Sequence, residues 1–119
     1  MVVYKIVLVD NVDSLRGCLS VINPLPLPGS PVHSHIAMDL EGVDLCRDGR
    51  LSIIQLFVKD SDTVWLIDIT TLGNVAFNDV DEQGRSLRSL LEDPTVIKVS
   101  LTPTCFSFEM IKQSILVYV

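Results

Sequence analysis

Ile36-Ala37-Met38-Asp39-Leu40-Glu41-Gly42 is a short apolar run that carries two acids with one residue between them. As a strand the run alternates, so Asp39 and Glu41 project from one face while Ile36, Met38 and Leu40 project from the other. Two residues along a strand, the carboxylates stand roughly 6–7 Å apart. With an effective dielectric of about 20, their repulsion is on the order of 2–3 kcal/mol. A strand beside a core is a costly place for such a pair unless a cation sits between the acids. Hard divalent ions, Mg²⁺ or Mn²⁺, take oxygen ligands of this kind.

Downstream of the pair, Leu51 to Val58 is apolar on both faces apart from Ser52 and Gln55, which predicts a central strand. Lys59-Asp60-Ser61-Asp62 is a tight polar connection into a further strand over Thr63 to Ile69. Connections this short leave no room for crossovers, so these strands make a three-strand antiparallel meander. Thr70 or Thr71 is expected to cap a short helix through Phe77, with Asp68 helping that turn. Ser86 caps a second helix, with Leu87, Leu90 and Leu91 on one face and Asp93-Pro94 ending it. Thr95 to Leu101 is then a strand, and the helical crossover before it sets it parallel to the first strand of the meander.

Upstream, Tyr4 to Val9 is rich in β-branched residues and reads as a strand. Asn11 or Asp13 caps a helix whose Leu15, Cys18, Leu19 and Ile22 repeat at helical spacing. The proline-rich stretch from Asn23 to Pro31 is an extended connector. His33 and His35 share a strand face at its start and are read as surface or packing residues. The expected fold class is α/β: a mixed sheet of three antiparallel strands plus a parallel fourth, with flanking helices.

The chain has 119 residues, enough for one domain, and 48% are hydrophobic, which argues against disorder. Its net charge of −6 gives no bulk attraction for a polyanion, so handling one needs metal ions or a local basic patch. Cys18, Cys46 and Cys105 are odd in number and lack metal-ligand spacing, consistent with a reduced, intracellular setting in cytoplasm or nucleus. No apolar run approaches membrane-spanning length, and the N-terminus reads as a strand, not as a secretion signal. There is no Gly-x-Ser-x-Gly elbow, no phosphate-cradling glycine loop and no zinc-finger spacing.

Those elements in that order, with Asp-x-Glu on the first meander strand, resemble the 3′–5′ exonuclease domain of the ribonuclease D and Werner type, a DEDD exonuclease of the ribonuclease H-like fold. The resemblance is carried by Ile36 to Gly42, by Gly49-Arg50-Leu51-Ser52-Ile53-Ile54-Gln55-Leu56, by Val64 to Ile69, and by Leu87 to Val99. It is most similar to a subgroup reading Asp-Leu-Glu-Gly-Val-Asp-Leu, here Asp39 to Leu45, followed by Arg, here Arg47.

The resemblance implies that Asp39 and Glu41 are catalytic metal ligands, Asp39 contacting both of two Mg²⁺ or Mn²⁺ ions and Glu41 one of them. It also implies that Gly42, Val43 and Asp44 lie against the 3′-terminal nucleotide of an RNA or DNA partner. Arg47, Arg50 and Lys98 are its candidate phosphate contacts. The implied chemistry is metal-assisted hydrolysis that releases a nucleoside monophosphate.

The second acidic motif of that family would end in an aspartate where this sequence has Thr102, after Lys98-Val99-Ser100-Leu101. The third motif, a Tyr or His followed by an Asp, has no match, and Tyr118 is followed only by Val119. Residues 1–101 therefore read as a partial exonuclease domain, truncated after its fourth sheet strand and inactive alone. Residues 102–119 read as a divergent tail. The family pattern breaks at Val99-Ser100, a pair that an in-frame GTAAGT intron donor encodes. The tail is thus expected to be translated intron or a diverged segment packing Phe106, Phe108, Ile111, Ile115 and Leu116, and the two are compatible.

Overall fold

The computed structural model describes residues 3–22, 35–43, 50–58, 61–93 and 96–100. Among these, the elements run β1 (Lys5–Val9), α1 (Val12–Ile22), β2 (His35–Val43), β3 (Arg50–Val58), β4 (Thr63–Asp68), α2 (Ile69–Leu72), α3 (Val75–Asn78), α4 (Leu87–Glu92) and β5 (Ile97–Ser100). The strands form one sheet in the order β1-β4-β3-β2-β5. The pairs β2–β3 and β3–β4 are antiparallel, as the short connections require, and β5 lies parallel to β2 after the helical crossover. The N-terminal strand joins as the far edge, parallel to β4, with Lys5 opposite Thr63 and Val9 opposite Ile67.

Paired residues share a face, so the register sorts the whole sheet. One face carries Val7-Trp65-Leu56-Met38 across four strands, and beside it Val9-Ile67-Ile54-Leu40. Against that face pack Leu15, Cys18, Leu19 and Ile22 of α1 and Leu87, Leu90 and Leu91 of α4, all in one buried core with Ile69, Ala76 and Phe77. Both sets of helical residues are the ones their 3.6-residue spacing predicts. Every described hydrophobic residue of this core lies on a helix or on this face of the sheet, apart from Val96 just ahead of β5.

Local side chains fix the helix starts. The Asn11 carboxamide oxygen accepts from the Ser14 amide at 2.8 Å, so Asn11, of the two candidates, starts α1. Ser86 and Ser89 form a reciprocal capping box on α4. The turn after β4 differs from the expectation. Asp68 is itself the cap, accepting from the Thr71 amide at 3.1 Å and the Thr71 hydroxyl at 2.7 Å, and the anticipated helix is two short pieces split at Gly73, where φ is 59°. A carboxylate offers two strong acceptors where a threonine hydroxyl offers one, so the acid takes the cap and leaves Thr71 to donate.

Candidate functional site

The second face of the sheet carries the acids. Across it run Ile6-Val64-Phe57-Ala37-Val99 in one row and Leu8-Leu66-Gln55-Asp39 in the next, with Asp68-Ile53-Glu41 beyond. Asp39 and Glu41 thus stand on one face of β2, as alternation predicts, with Asp39 half-buried and Glu41 exposed. One oxygen of Asp39 accepts from the Leu40 amide at 3.0 Å. The Gln55 amide donates to a Glu41 oxygen at 3.4 Å, across the strand pair and one step along from its own partner Asp39. Beside Asp39 lies a cleft of about 140 Å³, lined by Ala37, Asp39, Gln55, Phe57 and Val64 among others.

A β-bulge sets what surrounds the pair. The register passes from Glu41 opposite Ile53 to Gly42 opposite Leu51, leaving Ser52 as the extra residue. Strict alternation along β3 would put Arg50 on the core face with Ile54 and Leu56. The bulge instead buries Leu51 and places exposed Arg50 opposite Val43, on the face of the acids. The two polar residues that interrupt the apolar run of β3 therefore have separate reasons: Ser52 is the bulge, and Gln55 is the neighbour of the acids. Gln55 is the site residue that sequence reasoning passed over, and its signal was polarity inside a central strand.

Lys98 is not brought to the pair. It is opposite Ile36, whose side chain is buried on the core face, and its ammonium donates to the Asp93 carbonyl. Burial lowers its pKa, with Asp93 opposing that shift. Asp68 shares the acids' face but is committed to its cap, and the bonds from the Thr71 hydroxyl and amide hold its carboxyl below the usual range. Asp44, Arg47 and His33 lie outside the described residues, as does the side chain of His35.

Among the described residues, no third His, Cys, Asp or Glu joins the pair in a metal-binding cluster. Two carboxylates on a wet sheet face, with an amide beside them, suit one hydrated hard divalent ion.

The sequence matches no protein-family model and no curated protein. Solved structures do match. Trypanosoma brucei RNase D superposes with a TM-score of 0.57 at 26% identity over 84% of this chain. The same enzyme in complex with RNA U12 gives 0.58 at 24% over 83%. The chain has the ribonuclease H-like fold of the RNase D type 3′–5′ exonucleases. The Aedes aegypti Nibbler EXO domain has this exonuclease fold too, with a TM-score of 0.55 at 17% identity over 96% of the chain. The chain spans 30% and 31% of the two RNase D chains and 46% of the Nibbler chain.

Proposed function

We propose that this chain supplies the first acidic pair of a divalent-metal-dependent 3′–5′ exonuclease centre acting on the 3′ end of a nucleic acid. The observation that supports it is the placement of Asp39 and Glu41 on one open face of β2, within the fold shared with RNase D. That RNase D structures include one with RNA bound makes RNA the probe of choice. A bound divalent ion would supply Lewis-acid stabilisation of phosphoryl charge and a readied water.

The chain's own residues hold and orient. Asp39 and Glu41 would hold the ion, Gln55 restrains the Glu41 carboxylate, and Arg50 offers a cation to a phosphate on the same face. With a net charge of −6, the ion and Arg50 are what let a polyanion approach. An intracellular setting, in cytoplasm or nucleus, agrees with the cysteine usage and belongs to this proposal.

A second reading is a fold that holds nucleic acid without cutting it. The test is a 5′-labelled RNA incubated with the full chain and Mn²⁺, alongside paramagnetic detection of free Mn²⁺. Wild type is expected to take up Mn²⁺ and retain RNA, and Asp39→Asn to lose both. Stepwise shortening from the 3′ end supports the cutting reading, and retention without shortening supports the holding one. No difference in Mn²⁺ uptake between wild type and Asp39→Asn overturns both.

A further inference from the structure

β1 forms one edge of the sheet, and among the described residues no strand lies beyond it. The Lys5 amide donates to the Asp62 carbonyl at 2.7 Å, so Lys5, Val7 and Val9 turn their backbone polar groups toward β4. The alternate residues, Ile6 and Leu8, turn theirs outward, with Tyr4 in line just ahead of the strand. The same three residues carry exposed apolar side chains: Tyr4 is 54% exposed, Ile6 67% and Leu8 54%. All three stand on the face that bears the acids, where Ile6 begins the row Ile6-Val64-Phe57-Ala37-Val99 and Tyr4 meets Phe57 edge-on. An edge that offers free amides, free carbonyls and apolar side chains together is a template for another strand.

We propose that this strand is β1 of a second copy of the chain, antiparallel across a two-fold axis at Ile6. In that register Ile6 lies opposite the partner's Ile6, and Tyr4 opposite the partner's Leu8. Each such pair exchanges two backbone hydrogen bonds through the outward groups.

Three features select a second copy in this register. The edge is its own complement, so every contact is made twice about the axis. An aromatic side chain meets an aliphatic one, and isoleucine meets isoleucine, which are pairings that stabilise a ladder. Lys5 lies opposite the partner's Val7, whereas moving the axis to Lys5 would set two like charges face to face, and moving it to Val7 would set Tyr4 against Asp10. The axis stands perpendicular to the sheet, so the acid-bearing faces of both copies look the same way on one continuous sheet. The two Asp39 residues then lie roughly 30–35 Å apart at the usual strand spacing. With only Tyr4 and the five residues of β1 in contact, the interface falls under about 1,200 Å², where association is weak and reversible. This pairing does not rest on the nuclease reading.

The test is sedimentation equilibrium of the full chain from low micromolar to near-millimolar concentration, with amide hydrogen exchange followed by NMR at both ends of that range. The mass is expected to rise from one chain toward two and no further. The Ile6 and Leu8 amides are expected to exchange several-fold more slowly in the concentrated sample, while those of Lys5 and Val7, already bonded to β4, change less. Ile6→Lys, at an exposed position, sets like charges at the axis and is expected to stay monomeric throughout with unchanged far-ultraviolet dichroism. A mass of one chain at every concentration overturns the proposal, and so does assembly beyond two chains, because a two-fold pair uses up this edge. A dimer whose Ile6 and Leu8 amides exchange as fast as in the monomer is joined elsewhere and overturns it as well. A folded Ile6→Lys chain that pairs like the wild type does the same, and if that variant loses its dichroism the exchange result decides.

Discussion

Cys18 sits on α1 with no exposed surface, and burial pushes its thiol up to about 12 from an ordinary 9.0. The folded state therefore favours the protonated thiol. Its contribution to stability is intact below pH 9 and fades as the pH climbs from there toward 12, reaching a loss on the order of 3–4 kcal/mol. Urea unfolding at stepped alkaline pH is expected to show this fall in the wild type and a smaller one in Cys18→Ala. Thiol reagents at pH 8 are expected to leave Cys18 unmodified until the chain unfolds. Asp68 works in the other direction. Its lowered carboxyl stabilises the fold above the usual carboxylate range, and this is lost as the pH falls through the lowered value. Asp68→Ala removes the cap on α2 and is expected to cost about 1 kcal/mol near neutral pH, read from the urea midpoint.

The bulge at Ser52 is the element-scale feature with the widest effect. Deleting Ser52 removes the unpaired residue and leaves a regular ladder with Leu51 still opposite Gly42 and Arg50 still opposite Val43, so Leu51, now 1% exposed, is expected to stay in the core and Arg50 on the face of the acids. The unfolding free energy is therefore expected to change by no more than about 1 kcal/mol in a urea titration, and RNA retention in a filter assay to persist, whereas a large loss of both would mean that the twist of the bulge itself is needed. This element also marks how far the sequence could be read. The buried sets of α1 and α4 follow from spacing alone, and the meander follows from connection length. Alternation placed Asp39 and Glu41 on one face, and the sheet keeps them there. A bulge has no such signature, since Ser52 in a strand looks the same whether it is paired or extra. The choice of Asp68 over Thr70 or Thr71 as cap turned on relative acceptor strength among three adjacent residues able to do it. The position of β1 depended on a partner far along the chain, which no local pattern encodes, and Gln55 could be recognised as a site residue only after Glu41 stood beside it.

Over the whole molecule, acidity governs how a nucleic acid can be approached. A chain of net charge −6 with one exposed arginine described on the site face should make few phosphate contacts. On the proposed function, RNA binding is expected to need Mn²⁺ or Mg²⁺, to vanish with a chelator, and to show a shallow slope of log affinity against log salt, with Z of about 1–2. A steep slope measured by fluorescence anisotropy would place the contact on some other, basic surface. The pairing of β1 with β4 has a further outcome, in time rather than space. On the ribosome Lys5 to Val9 emerge early, yet Thr63 and its neighbours, their sheet partners, are made only after α1 and two further strands. At ordinary elongation rates the delay is roughly 3–12 s. For that interval an apolar strand travels without a mate, so a nascent chain of this design has reason to be met by a chaperone before it can close its own sheet.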